Sequence, residues 1–201
     1  MPSGFASIRA VGIRLGAADA GCGVSLRPSA LAWLRQALQG LDVPFVLLAT
    51  CNRSELYWVS MAVGPADAEV AGLFREALRR SGVDAPATER AGEAAVRHLL
   101  RVASGLDSLV LGEVEILGQV RAALQEASEH ELLSGVFRAA VRTGRMARAE
   151  TAIGAGAISV ASSAIHALET RVPLAGARVV IVGAGDTARA AARQIAADAA
   201  A

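Results

Sequence analysis

Residues 49–59 read ATCNRSELYWV, so Cys51 ends an apolar run and is followed at once by Asn52, Arg53, Ser54 and Glu55. A thiol in that setting is either a small core hydrophobe at a strand end or a nucleophile presented at a polar edge. Arg53, two residues from the sulfur, would favour the thiolate and lower the thiol pKa. Asn52 and Glu55 also have the spacing of a helix capping box, but Leu56 to Val59 is strand-like and leaves no helix to cap. Cys22, the other of the two cysteines, lies between glycines with no cationic neighbour and reads as incidental. The three histidines, His98, His130 and His166, are too scattered for a metal-ligand spacing. Standing alone, each reads as a structural or surface residue.

Composition bounds what can surround this thiol. The chain has 201 residues, 53% hydrophobic but only 3% aromatic, enough for one domain with a proper core, or for one domain plus part of a second. Twenty basic residues against nineteen acidic leave a net charge of +1, so no global field recruits a polyanion and any nucleic-acid contact needs a local patch. Arg138, Arg142, Arg145 and Arg148, spaced by four, three and three, fall on one helix face. They are a phosphate track or a solvated basic face, and the pattern supports both. No basic segment followed by an apolar stretch opens the chain, so a cytoplasmic protein with reduced thiols is expected. Residues 151–168 carry no Asp, Glu, Lys or Arg. They are rich in Ala, Gly, Ser and Thr, which predicts a tightly packed helix rather than a membrane span.

The elements that must position these residues follow from periodicity. Strands are predicted at 7–15, 43–50 and 55–61, and helices up to about Gln39, opened by Ser25 or by Arg27–Pro28, and at 65–80. From residue 91 the pattern is almost continuous helix, at 93–103, 113–128, 131–148 and 157–169, with a two-glycine loop between the first two. A linker is expected at 171–177. Then ARVVIVGAGDTARAAARQIAA predicts a buried strand, Gly183-Ala184-Gly185, and a helix from about Asp186. That is the first βα turn of a dinucleotide-binding fold, Gly183 making the turn and Gly185 admitting a pyrophosphate at the helix N-terminus. Thr187 opens that helix, and Ala188 takes the third glycine position. A plain tight βα turn is the alternative. One βα unit cannot bury both faces of a parallel strand, so the expectation is either an N-terminal portion of a longer protein or roughly thirty last residues that lack their proper home.

Three segments occur in order: TCNRSE, HLLRVASGLDSLVLGEVEILGQV (98–120) and ETAIGAGAISV (150–160), ahead of the GAG turn. Together they resemble the glutamyl-tRNA reductase family, over essentially the whole chain. The resemblance implies an α/β (α+β) catalytic domain at 1–150, its α/β part at 1–90 and its helical part at 91–150. A helix and linker at 151–177 and the incomplete start of a Rossmann NADPH-binding domain at 178–201 would follow. It implies NADPH-dependent reduction of glutamyl-tRNA(Glu) to glutamate-1-semialdehyde through a thioester on Cys51, the first step of five-carbon tetrapyrrole biosynthesis. His98 then polarises the ester carbonyl or assists proton steps. Arg53 grips the substrate side-chain carboxylate, and Thr50 and Asn52 line the site. Ser108, Glu113 and Gln119 match substrate-contacting positions, with Glu113 suited to the α-ammonium. GEVE stands where GEPQ is usual, so Val114 replaces a proline and Glu115 a glutamine. Gly183, Ala184, Gly185, Asp186, Thr187 and Ala188 would face NADPH.

The implied partners are glutamyl-tRNA(Glu), the glutamate-1-semialdehyde aminomutase that takes the product, and a second copy in a homodimer. The competing expectation is a truncated, non-reducing species that only deacylates or binds glutamyl-tRNA. An unrelated NAD-dependent dehydrogenase would leave TCNRSE and GLDSLVLGE unexplained.

Overall fold

A computed structural model describes residues 5–15, 24–126, 130–154, 160–174 and 176–198. Its elements in order are β1 (Ile8–Arg14), α1 (Pro28–Gly40), β2 (Phe45–Ala49), β3 (Arg53–Val59), α2 (Asp67–Arg80), β4 (Thr88–Ala91), α3 (Glu93–Ala103), α4 (Glu115–Gln125) and α5 (Glu131–Glu150). A 3-10 turn (Ala152–Gly154), α6 (Val160–Glu169) and α7 (Asp186–Asp198) complete the described residues.

The four strands form one sheet in the order β2-β3-β1-β4, every pairing antiparallel. This is an α+β arrangement, in which only β2 and β3 are joined by a short hairpin and the other paired strands are separated in sequence by helices. The period-2 alternation of the strands sends two apolar sets to opposite faces. Ile8, Ala10, Val46, Leu48, Tyr57 and Val59 pack with residues of α3, α4 and α5, including Leu99, Val120 and Phe137. Val11, Ile13, Phe45, Leu47, Leu56 and Trp58 pack with α1 and α2 through Leu34, Leu38, Val70 and Phe74. The sheet is thus covered on both faces, and Tyr57 meets Phe137 edge to face at 5.2 Å, an aromatic pair worth about 1 kcal/mol beyond its buried area.

Local chemistry explains the helices. Pro28 sits in the first turn of α1, where its missing N–H costs nothing. In α2, Val70, Phe74, Ala77 and Leu78 make one buried stripe, with Asp67 and Glu69 in the first turn and Arg79 and Arg80 in the last, matching the helix dipole. Asp67 also accepts hydrogen bonds from Arg9 Nε (2.7 Å), Trp58 Nε1 (2.9 Å) and Ser60 Oγ (3.0 Å), which fixes the start of α2 on the sheet.

Two expectations change. The edge strand β4, sequence TERA, is largely exposed and charged and carries no apolar alternation. It forms because β1 has an open edge to pair with, which no local pattern could announce. Conversely, the predicted strand ahead of the glycine turn does not form. Residues 177–184 lie outside any helix or strand, with Val180 78% and Val182 95% exposed. A buried parallel strand needs neighbouring strands, and the sheet of the described residues is already complete without it. No helix of the described residues is long and apolar enough to cross a membrane.

Candidate active site

Cys51 and Asn52 form the tip of the tight hairpin that joins β2 to β3. Thr50 N–H donates to Arg53 O at 2.8 Å, and Thr50 Oγ1 accepts from the N–H groups of Asn52 (3.2 Å) and Arg53 (3.1 Å). The Thr50 hydroxyl therefore ties down the backbone on both sides of the turn. Leu15 N–H donates to Asn52 O at 2.8 Å and anchors the tip to the end of β1. The Cys51 thiol is free and exposed.

Arg53 does not stand beside that thiol as expected. Arg53, Glu55 and Tyr57 alternate with Ser54 and Leu56 along β3, so all three point to the face that α3 to α5 cover. Arg53 is 3% exposed. Its Nη1 donates to Glu55 Oε1 at 2.7 Å and its Nη2 to the backbone carbonyl of Asp107. Tyr57 Oη donates to Glu55 Oε2 at 2.6 Å. The guanidinium fork is thus engaged inside the protein, and a substrate carboxylate would have to share it with Glu55.

The sulfur feels the opposite charge. Partial burial, and then the nearby Glu113 carboxylate, push the Cys51 thiol above its ordinary pKa, with Glu115 adding to the rise against a backbone hydrogen bond that lowers it. The expected lowering by Arg53 is therefore reversed. Glu113 is itself buried and raised, first by burial and then by Glu115, while Arg53 and Arg148 pull it down. Glu115 is exposed in the first turn of α4, and Val114 is the exposed residue that precedes that helix. Gln119 lies half-buried one turn further along α4.

His98 joins the Arg53 network rather than the thiol. From α3 its Nε2 lies 2.9 Å from Glu55 Oε1 and its Nδ1 3.6 Å from Asp107 Oδ2. Burial alone would raise the Glu55 pKa, but the His98 hydrogen bond and charge, with Arg53 and Tyr57, hold it at about 2. An ionised carboxylate only accepts, so Nε2 carries a proton and the ring is held with Nδ1 toward Asp107. No hydrogen bond links His98 to Cys51 among the described residues. Gly12, opposite Glu55 in the β1–β3 register, makes room for this network: a Cβ there would lie 2.6 Å from Glu55 Cγ.

The loop between α3 and α4 closes on itself, Gly112 N–H donating to Gly105 O at 3.0 Å. Gly105 and Gly112 have left-handed φ, +76° and +79°, and a Cβ on Gly112 would clash with the Ile153 carbonyl. Ser108, in this loop, has a buried Oγ with no hydrogen-bond partner among the described residues. Arg148 latches the loop: its Nη1 donates to Ala103 O and Gly144 O at 2.9 Å, and its Nη2 to Glu113 O at 2.8 Å. Arg148 thus leaves the expected surface track, because its guanidinium is needed at the end of α3. Arg138, Arg142 and Arg145 remain exposed on α5.

The residues expected to face NADPH lie elsewhere. An added Cβ at Gly183 or Gly185 would meet nothing, and α7 begins at Asp186. A dinucleotide crevice needs at least two parallel strands and their switch point, and the described residues build neither. Gly183, Ala184 and Gly185 precede α7 and Thr187 and Ala188 lie in its first turn, while of Asp186 only the backbone is described. Cys22, the residue set against Cys51 in the sequence reading, lies outside the described residues. Glu55, Asp107, Gly12 and Arg148 were missed as site residues; the alternation of β3 was the available signal for Glu55.

A sequence profile described as glutamyl-tRNAGlu reductase, N-terminal domain, matches residues 24–151. A glutamyl-tRNA reductase of Thermus thermophilus is 45% identical over 148 residues, 71% of this chain and 36% of that one. One from Stenotrophomonas maltophilia is 40% identical over 173 residues, 84% of this chain and 39% of that one. The solved structure of glutamyl-tRNA reductase from Methanopyrus kandleri superposes with a TM-score of 0.67 at 33% identity, over 96% of this chain and 47% of that one. The chain thus spans less than half the length of these relatives. It belongs to the glutamyl-tRNA reductase family.

Proposed function

We propose that this chain carries the acyl-accepting part of the NADPH-dependent reduction of glutamyl-tRNA(Glu) to glutamate-1-semialdehyde, the opening step of tetrapyrrole synthesis. The observation that carries the reading is the exposed Cys51 thiol at a braced hairpin tip, under the influence of the Glu113 and Glu115 carboxylates. The Cys51 thiolate attacks the ester carbonyl carbon. A C–S bond forms, the C–O bond to the terminal ribose breaks, and the ribose oxygen leaves with a proton.

Partial burial, and then the Glu113 and Glu115 carboxylates, disfavour the thiolate. The substrate's α-ammonium, drawn to Glu113 and Glu115, neutralises the charges that do so, and binding itself then favours the thiolate. Thr50 shapes the turn, and Asn52, Ser108, Val114 and Gln119 line the approach. Arg53 offers its remaining N–H groups to the substrate side-chain carboxylate. His98, oriented by Glu55 and Asp107, assists the proton steps. NADPH, where bound, supplies the hydride that takes the thioester to the aldehyde. In the same reading, residues 1–150 are the catalytic domain, and the protein works in the cytoplasm as a homodimer that hands its product to an aminomutase.

A second reading is favoured by the unpaired segment 177–184: the chain deacylates glutamyl-tRNA without reducing it. A two-product assay separates them, measuring free glutamate against glutamate-1-semialdehyde with NADPH in excess and Cys51→Ser as control. Semialdehyde is the outcome of the first reading, and slow release of glutamate without semialdehyde that of the second. Release of neither product would overturn the acyl-acceptor assignment, and semialdehyde would show that the hydride site is complete.

A further inference from the structure

Three arginines converge beside the His98 network. Arg90, Arg97 and Arg101 line an open cavity of about 570 Å³ together with Glu93, His98 and Asp107. The backbone dictates this convergence. Arg90 pairs with Ala10 of β1, whose side chain packs on the α3 face, so Arg90 projects to that face as well. Arg97 and Arg101 are one turn apart on α3, neighbours on its outer surface. His98, next in sequence to Arg97, turns inward to Glu55.

The local charge is positive and uncommitted. Among the described residues Arg90 and Arg101 have no ion-pair partner. Arg97 pairs only with Glu93, and that contact is solvent-exposed and weak. Asp107 is already flanked by Arg14 at 3.8 Å, Arg53 at 3.9 Å and His98 at 3.6 Å, so it does little to neutralise the cavity. A net charge of +1 over the chain gives no global attraction, and a polyanion must find a local cluster such as this one. The volume suits a nucleotide-sized group. The cavity also adjoins the site: Asp107, in its wall, gives its backbone carbonyl to Arg53, two residues from Cys51.

We propose that the cavity of Arg90, Arg97 and Arg101 binds phosphate groups of the single-stranded acceptor end of the tRNA substrate. This rests on the glutamyl-tRNA reading given above. The guanidinium fork matches phosphate oxygens in pairs, and the exposed rim leaves it free to do so. Each single-strand phosphate contact carries a salt dependence of about 0.7 in the slope of log affinity against log salt.

The test is equilibrium binding of unacylated tRNA(Glu) to the full chain at several salt concentrations. Arg97→Ala/Arg101→Ala should weaken binding on the order of tenfold at low salt and flatten the salt slope by about 1.4. Arg97→Lys/Arg101→Lys should keep the slope. Arg75→Ala/Arg79→Ala, which removes the same charge from α2 across the sheet, should change neither quantity. An unchanged slope in the α3 double variant, or an equal loss in the α2 control, would overturn the cavity while leaving the glutamyl-tRNA reading intact. Failure of the parent chain to bind tRNA at all would overturn both.

Discussion

At the residue scale, the surroundings of the Cys51 thiol are set by carboxylates rather than by its arginine neighbour in sequence. Proximity in sequence suggested that Arg53 would activate Cys51, but Arg53 turns into the β3 face while Cys51 sits at the tip of the turn before it. Arg53 therefore belongs to Glu55, and the sulfur feels Glu113 and Glu115, far along the chain. The direction of the pH dependence follows. A neighbouring negative charge disfavours thiolate, so removing it lowers the thiol pKa. Glu113→Gln and Glu115→Gln should each move half-maximal alkylation of Cys51 by iodoacetamide to lower pH, the first by more. Peptide-resolved mass spectrometry against pH checks this, and a shift to higher pH in either variant would remove the carboxylates from the sulfur's surroundings. The Glu115 departure from the family's usual glutamine thus has a measurable consequence at the thiol.

At the element scale, a hairpin and a helix meet across one thin place in the sheet. β3 supplies Arg53, Glu55 and Tyr57, α3 supplies His98, and β1 contributes an absence, the missing side chain of Gly12. Gly12→Ala would push its Cβ into Glu55 Cγ and should cost about 1–3 kcal/mol, as overpacked core positions do. Urea denaturation reads this as a lower midpoint at unchanged slope; an unchanged midpoint would mean that Glu55 relaxes freely and positions nothing. Long amphipathic elements were legible in the sequence: 93–103 is observed as α3 over the same residues, and α2 within two residues at its start. β4 was not, since its four residues follow their partner strand rather than any period of their own. The predicted strand before Gly183 failed for the converse reason, being apolar and β-branched but without neighbours. Periodicity reports a segment's preference, and a sheet needs partners as well.

At the scale of the whole molecule, the chain couples a two-sided sheet to a helical layer and sets the exposed Cys51 thiol at their shared edge. The motifs TCNRSE and GLDSLVLGE marked that edge in the sequence through their resemblance to the glutamyl-tRNA reductase family. The bond pattern inside the site was not legible, since it depends on strand facing and on Arg148 reaching across to Ala103 and Glu113. The arginine cavity was also hidden, with Arg90 contributed by the unpredicted β4. Everything proposed for the site turns on whether Cys51 accepts the glutamyl group from its ester. The decisive experiment incubates the chain with tRNA charged with radiolabelled glutamate, quenches in acid and maps the label by peptide. Label is expected on the peptide that contains Cys51, released by neutral hydroxylamine as a thioester is, and none in Cys51→Ser. Label on another residue, or equal labelling of Cys51→Ser, would contradict the assignment.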